Sequence, residues 1–217
     1  MTITIEQVIA QIPDWQGKNA AARPLSGGMT NNNYRVDVGG QSFVVRIPGA
    51  STELLAIDRA NETHNARAAA TTGVGPKVFY HLPEPNVMVV EFLAGRTLSI
   101  AALHEPGMPT RIARSIQRLH GGPRFLTDFD MFRLVEFYLG IAGQHGLAIP
   151  DGYRDRLPII AAIERAVMAH PSPTVPCNND LLPENLIDDG GLIRLIDFEY
   201  SGNNDPCFEL GNTCQEA

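Results

Sequence analysis

Two apolar runs, Leu186-Ile187 and Leu192-Ile193-Arg194-Leu195-Ile196, flank Asp188-Asp189-Gly190-Gly191. This pattern commits the segment to a small β-hairpin, and the hairpin constrains everything near it. It carries Asn185 at one end and Asp197 at the other, so both side chains can face one point. Asp180 precedes it in a loop that Pro183 keeps from becoming helical. An acid, an amide and a second acid in this order suit phosphoryl transfer. One carboxylate can orient a hydroxyl and accept its proton. The amide oxygen and the second carboxylate can hold a magnesium ion that screens phosphate charge. Taken singly, each of these residues also reads as an ordinary turn-forming Asp or Asn.

The chain upstream starts with Ile5, Val8, Ile9 and Ile12 at helical spacing, a Thr4/Gln7 capping box and a stop at Pro13. From Pro24 to Val38 the pattern is strand, glycine turn, strand. Gly39-Gly40 makes a second turn, and Ser42 to Ile47 is a third strand. Gly27 and Gly28 let backbone N–H groups approach a phosphate closely, and Thr30 and Asn31 add side-chain donors; the alternative is a plain hairpin. Arg46, near the end of the third strand, is either a surface cation or a phosphate ligand in a cleft.

Ser51 or Thr52 is expected to cap a long helix running to about Thr72. Glu62 in its middle is either solvated or paired with Arg46. Strands at Lys77 to Tyr80 and Val87 to Leu93 complete five strands and one crossing helix. Ala94-Gly95-Arg96-Thr97 then breaks the strand pattern and marks a hinge. Three helical patterns follow, from Pro109 to His120, Met131 to His145 and Arg154 to His170. His120 reads as a packed or helix-terminal histidine, because no partner stands at metal-ligand spacing.

Composition excludes several classes. The formal net charge of −7 argues against a nucleic-acid partner. The three cysteines, Cys177, Cys207 and Cys214, form no C-x-x-C pair, which disfavours a disulfide framework or a zinc site and fits a reducing cytoplasm. The N-terminus lacks a signal-peptide pattern, and no apolar run reaches the ~20 residues of a membrane span.

The stretches Leu25-Ser26-Gly27-Gly28-Met29-Thr30-Asn31-Asn32-Asn33-Tyr34, Val44-Val45-Arg46-Ile47 and Ile116-Gln117-Arg118-Leu119-His120 occur in order. They are followed by Asn179-Asp180-Leu181-Leu182-Pro183-Glu184-Asn185-Leu186-Ile187, Asp197-Phe198-Glu199-Tyr200 and Asp205-Pro206. In this set the chain resembles the choline/ethanolamine kinase group of the aminoglycoside-phosphotransferase-like kinases. The resemblance implies an α+β, bilobal protein-kinase-like fold. Its N-lobe (residues 1–94) would hold a five-stranded antiparallel sheet with one helix. Its C-lobe (residues 95–217) would be mainly helical, with a catalytic-loop hairpin. It also implies ATP with Mg2+ and an amino-alcohol substrate, while self-association into a homo-oligomer is left open. By the same resemblance Asp180 is the catalytic base and Asn185 and Asp197 are the metal ligands. Arg46 is the phosphate-binding cation and Glu62 its helical partner. Glu91, Phe92 and Leu93 form the hinge that holds adenine through backbone groups.

Two departures from the family pattern carry expectations. Asn178 stands where the family has a His that bonds backbone near the metal-binding Asp; an amide can still donate and accept. The chain ends at Ala217, soon after Asp197, where the family continues into helices bearing the aromatic residues that bind a substituted ammonium. Trp15 is the only tryptophan, so an incomplete C-lobe, a half-built substrate pocket and an uncovered apolar face are expected. The alternatives are a kinase for another alcohol, such as an aminoglycoside or a sugar, and a truncated nucleotide binder without turnover.

Overall fold

The period-two alternation of the amino-terminal strands decides which side chains face the cleft. The structure is a computed structural model that describes residues 3–28, 30–49 and 52–215. Met29 of the glycine turn and Ser51, one of the two expected caps, lie outside the described residues. Helix α1 (Ile5–Gln11) opens with the expected capping box. The backbone N–H of Gln7 donates to Thr4 Oγ1, and that of Thr4 donates to Gln7 Oε1.

Five strands follow: β1 (Ala20–Pro24), β2 (Asn31–Val38), β3 (Gln41–Pro48), β4 (Val78–Leu82) and β5 (Val87–Glu91). They form one antiparallel sheet in the order β1-β2-β3-β5-β4. Strand β1 starts at Ala20, ahead of the expected Pro24. Its alanines carry no strand signal of their own and are extended because they pair with β2, from Ala20 opposite Val38 to Pro24 opposite Tyr34.

Along β3, Phe43, Val45 and Ile47 are buried under α1 in a cluster with Val8, Ile12, Trp15, Val36, Val87 and Val89. The alternate residues, Val44 and Arg46, therefore face the opposite side. Strand β5 is covered on both faces, with Val87 and Val89 in the α1 cluster and Met88 and Val90 in the second core. That double burial explains its unbroken apolar run.

Helix α2 (Arg59–Thr71) packs on the sheet face opposite α1, with Ala66 and Ala69 in a core with Met88 and Val90. It starts later than expected. Thr52 lies in a single 3-10 turn (Thr52–Leu55), and the cap is Asp58, whose carboxylate accepts from Ala60 N and Asn61 N. Its buried face is polar in the first two turns, with Asn61, Glu62, Thr63 and Asn65, and small and apolar beyond them, with Ala66 and Ala69.

Beyond β5 the chain runs through β6 (Arg96–Thr97), α3 (Ile100–Leu103), α4 (Met108–His120), α5 (Met131–Gln144) and α6 (Leu157–Ala169). Then come β7 (Val175–Cys177), β8 (Leu186–Asp188), β9 (Ile193–Leu195), β10 (Gly202–Asn204) and α7 (Pro206–Gln215). Strands β8 and β9 are the expected hairpin, joined on its other edge by β6, and β10 pairs with β7. Gly95 admits this junction: a Cβ there would stand 2.5 Å from the carbonyl oxygen of Asp188. Pro183 does not merely block a helix; it opens a single 3-10 turn, Pro183–Asn185. Pro158 likewise stands in the first turn of α6, which follows a 3-10 turn at Arg154–Arg156.

The second core joins the inner sheet face to the hairpin and α4 through Val90, Ile112, Ile116, Leu119, Leu186, Leu195 and Phe198. Leu119 is fully buried in it. Leu119→Ala is expected to lower the unfolding free energy by about 2–5 kcal/mol, read as a shifted urea midpoint at unchanged slope. Helices α5 and α6 behave differently. Ile159, Ile163 and Met168 of α6 are each more than half exposed, as expected for an uncovered apolar face. No helix among the described residues is long and apolar enough to cross a membrane.

Candidate active site

Three elements bring charge together between the sheet and the hairpin. Arg46, on the cleft side of β3, places Nη2 2.9 Å from Glu62 Oε1 of α2 and 2.6 Å from Asp197 Oδ1 past β9. The guanidinium is enclosed, and burial alone would lower its pKa. The neighbouring Asp197 and Glu62 carboxylates more than offset that and hold it firmly charged. The pairing of Arg46 with Glu62 is therefore realised, and the solvated reading of Glu62 falls, since its side chain is 2% exposed.

Three further residues, two in the cluster and one beneath the loop that carries Asp180, were not in the expected set. Arg59, at the start of α2, places Nη1 2.7 Å from Glu62 Oε2 and 3.6 Å from Glu199 Oε2. The three-residue spacing of Arg59 and Glu62 on one helix is the signal that could have found it. Glu199 is buried, and burial beside Asp197 pushes its pKa up to about 6. The third, Glu209, left no such signal: it is one acid in a short helix, and only packing places it beneath the loop.

The glycine turn is built as expected in backbone but not in side chains. Gly27 and Gly28 have φ of +99° and +89°, and a Cβ on Gly28 would stand 3.0 Å from Asn33 Nδ2. Thr30 and Asn31, expected as phosphate donors, turn inward instead. Thr30 Oγ1 donates to Glu199 Oε2 at 2.7 Å. Asn31 Nδ2 donates to Thr30 Oγ1 at 3.0 Å and lies 3.4 Å from Glu199 Oε2. The buried Glu199 needs these donors, which explains the inward turn and ties the glycine turn to the Asp197 segment.

In the expected hinge, two of three N–H groups are already used. Glu91 N donates to Lys77 O and Phe92 N to Ser42 O. Leu93 N has no backbone acceptor among the described residues. The Glu91 carboxylate takes Lys77 N and an ion pair with Arg194, and the Arg35 guanidinium stacks on the Phe92 ring at 4.1 Å.

The loop before the hairpin is fixed by amides. Asn178 Nδ2 donates to the carbonyls of Ile196 and Asp197 at 3.2 and 2.9 Å, and Asn178 Oδ1 accepts from Asp180 N at 3.1 Å. The amide thus performs the backbone tie expected of that position. Asn179 is left-handed, with φ +67°, and turns the chain so that the half-buried Asp180 follows. Asn185 Nδ2 donates to Asp180 O at 2.8 Å, so its Oδ1 is the atom left for other partners. Asp197 commits Oδ1 to Arg46 and keeps Oδ2. These two remaining atoms are hard oxygen donors, the type that Mg2+ takes. Glu62, Asp197 and Glu199 bring carboxylate oxygens within 4.8 Å of one another, and Arg46 and Arg59 offset two of these three charges.

Comparison with known proteins bears on the family and the fold. Residues 21–216 match the phosphotransferase enzyme family. A choline/ethanolamine kinase family protein from Mesorhizobium loti is 36% identical and superposes with a TM-score of 0.81, over 96% of this chain and 68% of that one. A LicA structure in complex with AMP is 26% identical, with a TM-score of 0.77 over 97% of this chain and 72% of that one. Protein LicA of Haemophilus influenzae is 29% identical over 88% of this chain, which spans 57% of the length of that relative.

Proposed function

Because the chain belongs to the phosphotransferase enzyme family, and within it to the choline/ethanolamine kinases, we propose that it transfers the γ-phosphoryl group of ATP to the hydroxyl of choline or ethanolamine. The fold is the bilobal protein-kinase-like one. The observation that carries the proposal is Arg46 held between Glu62 and Asp197, which joins strand, helix and hairpin around one cation. The AMP complex of the LicA relative supports an adenine nucleotide.

Under this reading each residue has a task. Arg46 neutralises nucleotide phosphate, and Glu62 keeps its guanidinium in place. Asp180 orients the substrate hydroxyl and accepts its proton. Gly27 and Gly28 let the turn approach the phosphates, and the backbone of the Glu91 to Leu93 segment, Leu93 above all, meets adenine. Thr30 and Asn31 act one step back, by holding Glu199. Asn185 Oδ1 and Asp197 Oδ2 would hold Mg2+, which when bound screens phosphate charge. The same reading divides the chain into lobes after residue 94; β5 ends at Glu91, and β6 already pairs with β8.

The test is an ADP-release assay with ATP and MgCl2 across choline, ethanolamine, an aminoglycoside and a sugar. Turnover is expected with choline or ethanolamine. Turnover confined to the other alcohols overturns the substrate class, and nucleotide binding without any turnover overturns the reaction. The working Asn178 tie supports the catalytic reading over the non-catalytic one.

A further inference from the structure

Arg59 has no task in the chemistry above, although it sits among the groups that carry it. Its Nη1 serves two carboxylates, Glu62 Oε2 at 2.7 Å and Glu199 Oε2 at 3.6 Å. Its other two nitrogens, Nε and Nη2, are buried and have no hydrogen-bond partner among the described residues. These two make up the side edge of the guanidinium, where two N–H groups point the same way in a fixed plane. Burying donors of a charged group without an acceptor is costly, so the edge is built for a partner.

Other arginines of this chain fill the same edge from the protein itself. Arg194 donates from Nε and Nη2 to the carbonyls of Val74 and Gly75 at 3.2 and 2.9 Å. Arg35 donates from the same two atoms to Asp37 Oδ1 and Ser42 Oγ, both at 2.9 Å. Arg46 shares the shortage of Arg59: its Nη2 is spent on Glu62 and Asp197, and its buried Nε has no partner among the described residues. The two guanidinium groups hold opposite oxygens of the Glu62 carboxylate and are therefore neighbours. Neutralising Glu62 and Glu199 takes only the charge at Nη1, which a lysine would also supply. The planar fork is what arginine adds, and that part of Arg59 is unspent.

A fork of two donors matches two oxygens of one phosphate. The amino-alcohol is a cation and is repelled by Arg59, so the anion comes with the nucleotide. Position along the cleft selects which phosphate. The hinge end is marked by Phe92 N bonded to Ser42 O, and Arg46 stands farther along β3, opposite Asn33. Arg59 lies beyond Glu62, against the Glu199 carboxylate that holds Thr30 and Asn31 of the glycine turn. That is the end farthest from the base. We propose that the side edge of Arg59 takes two oxygens of the terminal phosphate of ATP. Arg46 and Arg59 then form a clamp of two arginines bridged by Glu62, and the clamp separates ATP from ADP. The one carboxylate charge they leave unmatched lies beside Asn185 Oδ1 and Asp197 Oδ2, where a divalent cation would offset it. This rests on the phosphotransfer reading above.

The experiment titrates ATP, ADP and AMP, each with MgCl2, into the unaltered protein, Arg59→Met and Arg59→Lys, and measures the urea midpoint of each protein. Arg59→Met is expected to weaken ATP binding about 10-fold or more, and ADP and AMP binding less than about two-fold. Arg59→Lys keeps the charge facing Glu62 and Glu199 and is expected to recover most of the lost urea midpoint. It lacks the fork, so it is expected to recover ATP affinity only in part. A purely structural role would weaken all three nucleotides alike or none of them, and either result overturns the proposal. Full recovery of ATP affinity by lysine overturns it too. Should Arg59→Met fail to fold, Arg59→Lys decides alone: an ATP-to-ADP preference lowered about three-fold or more supports the proposal, and an unchanged preference overturns it. If the unaltered protein binds nucleotide but turns over no alcohol, the phosphotransfer reading fails and the titrations still decide the role of Arg59. An unaltered protein that binds none of the three nucleotides overturns both.

Discussion

Asp180→Ala is expected to lower turnover by about 10²–10⁴-fold while nucleotide affinity changes less than about three-fold. The backbone contacts of Asp180 do not depend on its side chain. Its N–H donates to Asn178 Oδ1 at 3.1 Å, and its carbonyl accepts from Leu182 N at 2.9 Å and Asn185 Nδ2 at 2.8 Å. An alanine retains all three. Single-turnover phosphorylation gives the rate, and calorimetry with ATP and MgCl2 gives the affinity. A variant that keeps its rate ends the assignment of Asp180 as base.

The second large effect is expected at Arg46. Arg46→Met keeps the stem volume and removes the charge. It leaves Glu62, with a side chain 2% exposed, facing only Arg59, and Asp197 without its cation. Breaking a buried pair from one side costs about 3–5 kcal/mol when no other partner remains. Arg59 still holds Glu62 Oε2, so a stability loss at the low end of that range is expected, read by urea denaturation. ATP affinity is expected to fall by about 10–100-fold, in keeping with loss of one electrostatic contact to phosphate. Glu62→Gln should cost less. The double variant Arg46→Met/Glu62→Gln should be more stable than the sum of the single losses, because the stranded carboxylate is gone. Strict additivity, or ATP affinity equal to that of the parent, contradicts the assignment of Arg46.

Much of the fold was legible where its cause is local. The β8/β9 hairpin follows from Asp188-Asp189-Gly190-Gly191 between two apolar runs, and the capping box of α1 follows from Thr4 and Gln7. The start of α2 was misplaced because Thr52 and Asp58 are comparable caps, and nothing nearby says that a 3-10 turn precedes the helix. Strand β1 was misplaced because three alanines favour no strand; the hydrogen bonds to β2 hold them.

The candidate site divides along the same line. The spacing of Asp180, Asn185 and Asp197 was readable because a loop and a hairpin of fixed length set it. The contacts of Thr30 and Asn31 with Glu199 were not legible, since Glu199 lies more than 160 residues away. His120 is helix-terminal as read, but its contact with Glu209 left no signal, as an acid and a histidine on different helices share no pattern until α4 and α7 pack against β7.

The sequence by itself determined the order of acid, amide and acid, the hairpin that separates them, and the strand alternation that turns Arg46 from the α1 core. These depend on turn chemistry and on the period of a strand. Only the tertiary structure decided that Arg46 meets Asp197 across 151 residues, that Arg59 reaches Glu199, and that Glu209 closes on the loop. Such contacts form where a buried charge must find a partner, and that requirement acts on distance in space and not on position in the chain.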